Sequence, residues 1–376
     1  MAGQGVALLG IDLPWFVWAS IAWVLVTALS LLSIDVGAKV LGTLMVLEVL
    51  SLLIAGVAIL INNAGSMNFA ASFSPENIFA GGFVGGAGIA LAFALASFIG
   101  FEATAIYGEE SKDPKRTVPR ATYWAVGLIT TVFAIVSFAM VTGLGSASVV
   151  GRVAEISDNG QNPADVLFFL VDENVGPWLV TVMGWLVVSS LFAGLLAFQN
   201  ANARYVFALG RAGVLPASLG KTNASGAPIG GVIVTSVLAA VVILLFVIQG
   251  LDPILNLFFW MSAITAIAIM VVEILVSIAV IRYFMQNPGT HWFKAVVAPA
   301  LSALLLGGGL YLLMSRFNIL SGLASAVDEN EIPIAWALTD LGWILVLLPF
   351  MALVVGFIWG LINKKENAKM SADILS

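Results

Sequence analysis

Apolar residues in this chain run in long blocks, and polar residues are confined to short stretches between them. A helix needs about 20 predominantly apolar residues to cross a bilayer. Nine runs reach that length: 14–34, 38–61, 83–108, 121–145, 177–203, 229–250, 254–284, 293–315 and 336–362. The pattern predicts an all-α polytopic membrane protein with nine transmembrane helices and no soluble domain. No lysine or arginine precedes the first run. A cleavable signal carries a basic n-region, so this run is expected to span.

Composition narrows the function. The chain is 61% hydrophobic and 10% charged, against about 25% charged in soluble proteins. The absence of cysteine removes thiolate catalysis, iron–sulfur clusters and disulfides. A single histidine, His291, argues against bis-histidine haem and histidine-rich zinc sites. The net charge of −6 comes with no basic cluster dense enough for nucleic acid. Neither a His-Glu-x-x-His pair nor a Gly-x-x-x-x-Gly-Lys-Ser/Thr loop is present. The chain is therefore expected to be no enzyme, to carry no cofactor or metal, and not to be ATP-driven.

Loop charge sets the expected orientation, because cytoplasmic loops are rich in lysine and arginine. One set of connections holds Lys39; Lys112, Lys115, Arg116 and Arg120; Arg204, Arg211 and Lys221; Arg282 and Lys294; and Lys364, Lys365 and Lys369. The opposite set holds Arg152 and Arg316. The C-terminus is thus expected in the cytoplasm, and nine crossings then put the N-terminus outside. An external, uncharged start is unusual for a multi-span chain, and is what a sequence beginning part-way through a larger protein would give. The outer loops carry acids instead: Glu155, Asp158, Asp165, Asp172 and Glu173 in one, Asp328, Glu329 and Glu331 in another.

The third run holds Ser97, Gly100 and Glu102 near its centre. Glycine weakens a helix by about 1 kcal/mol relative to alanine. An ionisable group at that depth costs a further ~2.5–3.5 kcal/mol on insertion scales. A span carrying both is a candidate for a broken helix, whose free carbonyls and amides can bind a substrate's charged groups. The alternative is that Gly100 allows close helix packing while Glu102 bonds a neighbouring backbone group.

The sequence around that span is distinctive. Phe98-Ile99-Gly100-Phe101-Glu102-Ala103 is followed by Glu109-Glu110-Ser111-Lys112-Asp113-Pro114-Lys115-Arg116-Thr117-Val118-Pro119-Arg120-Ala121. The block closely resembles the sixth-helix signature of the amino acid–polyamine–organocation transporters. A second block, Asn202-Ala203-Arg204 through Gly210-Arg211-Ala212-Gly213-Val214-Leu215-Pro216, is similar to the end of that family's eighth helix. Both blocks adjoin connections that charge places in the cytoplasm, where the family has them.

The resemblance implies a LeuT-like inverted-repeat transporter fold in which the nine spans correspond to helices 4–12 of twelve. Residues 80–285 would form the second repeat, and 286–376 two accessory helices and a cytoplasmic tail. In the family the substrate lies between the unwound centres of the first and sixth helices. The glycine-rich amides of the first, which hold the carboxylate, have no counterpart here. The substrate ammonium would meet carbonyls around Ala96, Ser97 and Ile99, beside Gly100, with Phe101 and Glu102 opening the second half-helix. Phe198 falls near a gating aromatic of some relatives, or is a packing residue. The polar Gln199, Asn200 and Asn202 are expected to face protein or water, with Asn202 a candidate for the site. Ser189 and Ser190 would line the site or bond back to their own helix.

Glu48 lies mid-way along the second run, near where some proton-coupled relatives carry a lysine. A carboxylate there can carry the coupling proton, coordinate sodium, or simply bond a neighbouring helix. Glu273 is similarly isolated and reads as structural. Trp15, Trp18, Trp178, Trp292 and Trp336 fall at run ends, as interfacial anchors do. Residues 162–170 are expected to form a short surface helix on the outer side.

The function this implies is a secondary active transporter of amino acids or related amines in the plasma (bacterial inner) membrane. It would be driven by a proton or sodium gradient, with no nucleic-acid partner. The alternative is a non-transporting truncated protein or partner-dependent membrane subunit.

Overall fold

A computed structural model describes residues 13–32, 34–79, 86–106, 111–158, 165–287, 289–329 and 332–362. The principal helices are α1 (Trp15–Ser30), α2 (Ile34–Asn62), α3 (Gly86–Ser97), α4 (Ala103–Ile106), α5 (Pro114–Leu144), α6 (Val149–Asp158), α7 (Val166–Asn174), α8 (Pro177–Arg211), α9 (Ile229–Ile248), α10 (Phe259–Gln286), α11 (Ala298–Ser315), α12 (Phe317–Ser321) and α13 (Asp340–Ile362). Among the described residues, the only strand-like pairings are two isolated bridges, Ala324 with Leu338 and Val327 with Pro333.

Among the described residues, seven helices are long and apolar enough to cross a membrane: Val40–Asn62, Pro114–Leu144, Pro177–Arg211, Ile229–Ile248, Pro253–Gln286, Phe293–Ser315 and Asp340–Ile362. They coincide with the second, fourth and subsequent expected spans. The first expected span is a helix of 16 residues, about 24 Å at 1.5 Å per residue against a hydrocarbon core of about 30 Å. The third is interrupted: α3 ends at Ser97 and α4 starts at Ala103. The expected outer surface helix overlaps α7, although Asn162, Pro163 and Ala164 lie outside the described residues, as do Glu109, Glu110, Lys364, Lys365 and Lys369.

Helix ends follow local chemistry. Both α5 and α8 begin with proline at the first helical position, where the missing N–H would have had no intrahelical partner anyway. Arg211 occupies the last turn of α8, where a cation complements the carbonyl end of the helix dipole. Two spans enter through a π-helical turn, Pro253–Phe258 before α10 and Phe293–Val297 before α11. The first of these is capped by Asp252, whose carboxylate accepts the Ile254 and Leu255 N–H groups at 2.7 Å each.

The chain forms two compact units, one from described residues within 1–77 and 100–245, the other from those within 78–99 and 246–365. In the first unit, Ile59, Ala139, Leu144, Val166 and Leu170 pack α2, α5 and α7 together. Ala55, Val171, Leu179 and Met183 continue that core onto α8. A polar junction also joins three helices of this unit. Gln199 on α8 donates to Ser236 Oγ on α9 at 2.7 Å and to Val232 O at 3.1 Å. Ser236 Oγ lies 3.0 Å from Thr27 Oγ1 on α1, and Trp23 Nε1 donates to Ser236 O at 2.8 Å. Within a bilayer such bonds hold helices together, since lipid offers a polar group no other partner.

The second unit is centred on α10. Ala263, Ala266, Ile267 and Met270 pack against Leu313 of α11, Phe317 of α12, Leu338 just before α13 and Val346 of α13. Leu95 and Ile99, at the end of the α3 segment, pack on the same core. Asn318 is buried and donates to Ile334 O and Ala337 O. Trp336, expected at a span end, precedes α13 with a positive φ of 66°, held by its N–H bond to Ser315 O at 2.9 Å. Elsewhere on α13 Val354, Val355, Phe357 and Ile358 are exposed, as on a surface that meets lipid.

Candidate functional site

The interruption between α3 and α4 is a defined piece of backbone. Gly100 has φ of +113°, a conformation that side chains disfavour. The regular helical ladder stops there. Phe98 N–H turns back to Leu95 O at 3.2 Å. Beyond the glycine, the Ala103, Thr104 and Ala105 N–H groups make tight three-residue turns to Gly100 O, Phe101 O and Glu102 O.

Glu102 closes the break on itself. Its Oε2 accepts the Gly100 N–H at 2.8 Å, so the acid bonds a neighbouring backbone group at the very residue where the helix is broken. The break expected for this span is therefore present, and so is the Glu102 backbone bond of the alternative, but Gly100 serves a turn of positive φ and not a close helix contact. The carbonyl oxygens of Ser97 and Ile99 accept no hydrogen bond among the described residues. The Ser97 hydroxyl donates back to Phe93 O at 2.9 Å, leaving the backbone carbonyl as that residue's open polar group. Ala96 lies in the last turn of α3, and Phe101 is half-buried. The start of α4 is fixed to α5 through Thr104 Oγ1 and Thr122 Oγ1, 2.6 Å apart.

On α8 the break meets Phe198. A Cβ added at Gly100 would lie 3.6 Å from the Phe198 para carbon, Cζ, so the ring covers the glycine within the first unit. Phe198, Asn202 and Tyr205 follow at four- and three-residue spacing and share one face of the helix. Asn202 is exposed and makes no hydrogen bond among the described residues. Tyr205 is close enough to Glu102 for the carboxylate to act on it electrostatically. Sequence reasoning missed Tyr205, although its seven-residue separation from Phe198, two helical turns, places it on the same stripe.

The remaining candidates separate from this group. Glu48 is half-buried on α2. Its carbonyl accepts the Ser51 hydroxyl at 2.8 Å, while its carboxylate makes no hydrogen bond or ion pair among the described residues. Ser189 bonds Leu186 O on its own helix. Gln199 faces protein, as expected, in the junction with α9. Asn200 instead lines a cavity at the far end of α8 with Ser30 and Arg204. Glu273 is half-buried on α10. Among the described residues there is no group of histidine, cysteine or acidic side chains that could hold a metal ion.

Discontinuous helices form the binding sites of many transporter folds, and the comparisons with known proteins identify the family of this chain. A family profile described as amino acid permease matches residues 3–319, and the chain belongs to that family. It is a multi-pass membrane protein. The branched-chain amino acid permease BcaP of Lactococcus lactis subsp. cremoris is 27% identical over 205 residues, 54% of this chain and 41% of the relative. The histidine permease HisP of the same organism is 24% identical over 246 residues, 62% and 49% of the two chains. The amino-acid permease RocE of Bacillus subtilis is 28% identical over 152 residues, 39% and 29%. The matched stretches span less than half the length of these curated relatives.

Proposed function

We propose that this chain carries part or all of a secondary active permease for amino acids or related amines. The observation that carries the reading is the helix break at Gly100, with the Ser97 and Ile99 carbonyls open beside it. Carbonyl oxygens carry partial negative charge, and an ammonium group is the complementary ligand. The names of the relatives, which specify branched-chain amino acids and histidine, agree with an α-amino acid as cargo.

In this proposal the substrate ammonium is held by Ala96, Ser97 and Ile99 backbone oxygens. Gly100 supplies the turn, Phe101 and Glu102 hold the start of the second half-helix, and Phe198 and Asn202 on α8 line the site beside Gly100. The fold is the LeuT-like inverted repeat, and transport proceeds by alternating access in the plasma membrane with the C-terminus in the cytoplasm. Glu48 is the coupling group, exchanging a proton or binding sodium.

Uptake by proteoliposomes tests this reading. Purified protein should accumulate labelled leucine or histidine when a proton or sodium gradient is imposed, and unlabelled substrate should compete. Absence of both uptake and binding for every amino acid and amine tried would refute it.

A further inference from the structure

We infer that the turn joining α10 to α11 is a docking surface for the headgroup of an anionic phospholipid. The two helices pack on each other within the second unit. Arg282 lies one turn before the end of α10, and Lys294 sits in the π-helical turn that leads into α11, so both cations stand at the same end of the helix pair. Both are exposed, and neither makes an ion pair among the described residues. Between Glu273 and Asp328 the sequence has no acidic residue, so nothing in this segment cancels their charge. A guanidinium and an ammonium beside the membrane surface are the complement of a phosphate that carries net negative charge.

The aromatic and aliphatic residues beside the cations favour a lipid over a soluble acidic partner. Tyr283, Trp292 and Phe293 are each more than half exposed. Rings with an apolar body and a polar edge sit well at headgroup level. On α10, Leu275, Ala279, Arg282 and Gln286 follow at three- and four-residue spacing and share one exposed face. The guanidinium therefore continues an apolar stripe. On α11, Leu301, Leu304 and Leu305 are exposed as well. Cation, aromatic ring and aliphatic stripe follow the order of phosphate, glycerol and acyl chain in a phospholipid. A soluble acidic partner matches the cations alone.

Local bonds hold the turn in shape. Asn287 donates to Tyr283 O through its N–H at 2.9 Å and its Nδ2 at 3.0 Å. The Lys294 and Ala295 N–H groups both donate to His291 O, at 2.9 and 3.1 Å. Ala295 is buried, which pins the backbone from which Lys294 projects. His291 Nδ1 accepts the Phe293 N–H at 3.3 Å, which leaves its proton on Nε2 as one further donor.

The test uses the full-length protein as purified from its membrane, in mixed micelles with equal amounts of phosphatidylglycerol and phosphatidylcholine. Native mass spectrometry reads which lipid is retained. A basic residue near an anionic surface contributes about 1 kcal/mol, or about fivefold. The unaltered chain should therefore prefer phosphatidylglycerol by on the order of 25-fold. Arg282→Gln and Lys294→Gln should each lower that preference about fivefold, and the double variant should bring it near parity. Lys221→Gln, which removes an exposed cation of the first unit, should leave it unchanged. Equal retention of the two lipids by the unaltered chain overturns the site, as does a preference that Arg282→Gln and Lys294→Gln leave intact. Equal losses with Lys221→Gln also overturn it, since they mean diffuse charge and not a site. Binding of a polyglutamate peptide without any lipid preference, lost in the same two variants, overturns it in favour of an acidic protein partner. Should the double variant fail to fold, the two single variants decide the question.

Discussion

Glu102 Oε2 accepts the N–H of Gly100, two residues before it, at 2.8 Å. The carboxylate that makes the third span unfavourable as a continuous helix is thereby the group that satisfies the interruption. Removing the acid leaves the Gly100 N–H unpaired in a half-buried position, a loss of about 1–3 kcal/mol. Glu102→Ala should therefore lower the thermal midpoint of the purified protein. Glu102→Gln, which keeps an acceptor oxygen, should lower it less. Equal midpoints for all three proteins would mean that the bond contributes nothing to the folded state.

Gly100 itself should tolerate no side chain, for a backbone reason. An added Cβ would lie at ordinary van der Waals distance from Phe198, so crowding is not the difficulty. The difficulty is φ of +113°, which costs a non-glycine residue of order 1–3 kcal/mol. Gly100→Ala should impair uptake and stability, and Gly100→Leu should abolish uptake. Trimming the ring with Phe198→Ala should not rescue either variant. Rescue would show that space, and not backbone conformation, is what the glycine provides.

Glu48→Gln removes an exchangeable proton while preserving size and hydrogen-bonding capacity. If Glu48 couples the gradient, uptake driven by an imposed pH or sodium gradient should be lost while exchange of internal for external substrate persists. Unchanged pH-driven and sodium-driven uptake would return Glu48 to a packing role on α2.

The junction at Ser236 gives a stability prediction free of assumptions about transport. Ser236→Ala deletes the hydroxyl that links Gln199 to Thr27, while Gln199 retains Val232 O. Interhelical bonds of this kind contribute about 0.6–2 kcal/mol each. Ser236→Ala should lower the unfolding free energy by about that much and leave substrate affinity unchanged, as an unfolding titration in mixed micelles can measure.

How much of this was legible in the sequence depends on how local its cause is. The break at Gly100 could be anticipated because a glycine and a carboxylate lie within three residues of each other in a span, and neither suits a continuous apolar helix. The positions of the main helices followed from the apolar runs, but not all of their ends: α5 already starts at Pro114 and α8 continues to Arg211, through polar residues outside the runs. The roles of Gln199 and Asn200 were only half legible. Their polarity foretold protein or water contact, but adjacent residues on a helix point about 100° apart, so one meets α9 and the other the Ser30 cavity. Tyr205 was missed because nothing in its immediate neighbours signals Glu102, which is brought near by packing of α8 and α4. The short extent of α1 and the pairing of Ala324 with Leu338 were also invisible, since each depends on partners distant in sequence.

Gly231 offers the sharpest packing test. It lies on α9 where that helix crosses α8, and a Cβ placed there would run into the carbonyl group of Ala203, which is backbone and cannot rotate away. Small residues at such crossings let helix backbones approach closely in a membrane. Gly231→Ala must push the two helices apart, which stretches the neighbouring Gln199 bonds to Ser236 and Val232 as well. Overpacking of this kind costs typically about 1–3 kcal/mol, and the coupled loss of the polar junction places Gly231→Ala at the upper end. Gly307→Ala supplies the control, because a Cβ at Gly307 meets nothing within 4 Å and alanine is the better helix former. The expected result is a marked drop in folded yield and thermal midpoint for Gly231→Ala, with Gly307→Ala unchanged or slightly raised. Equal behaviour of the two variants would rule out the close α8–α9 crossing.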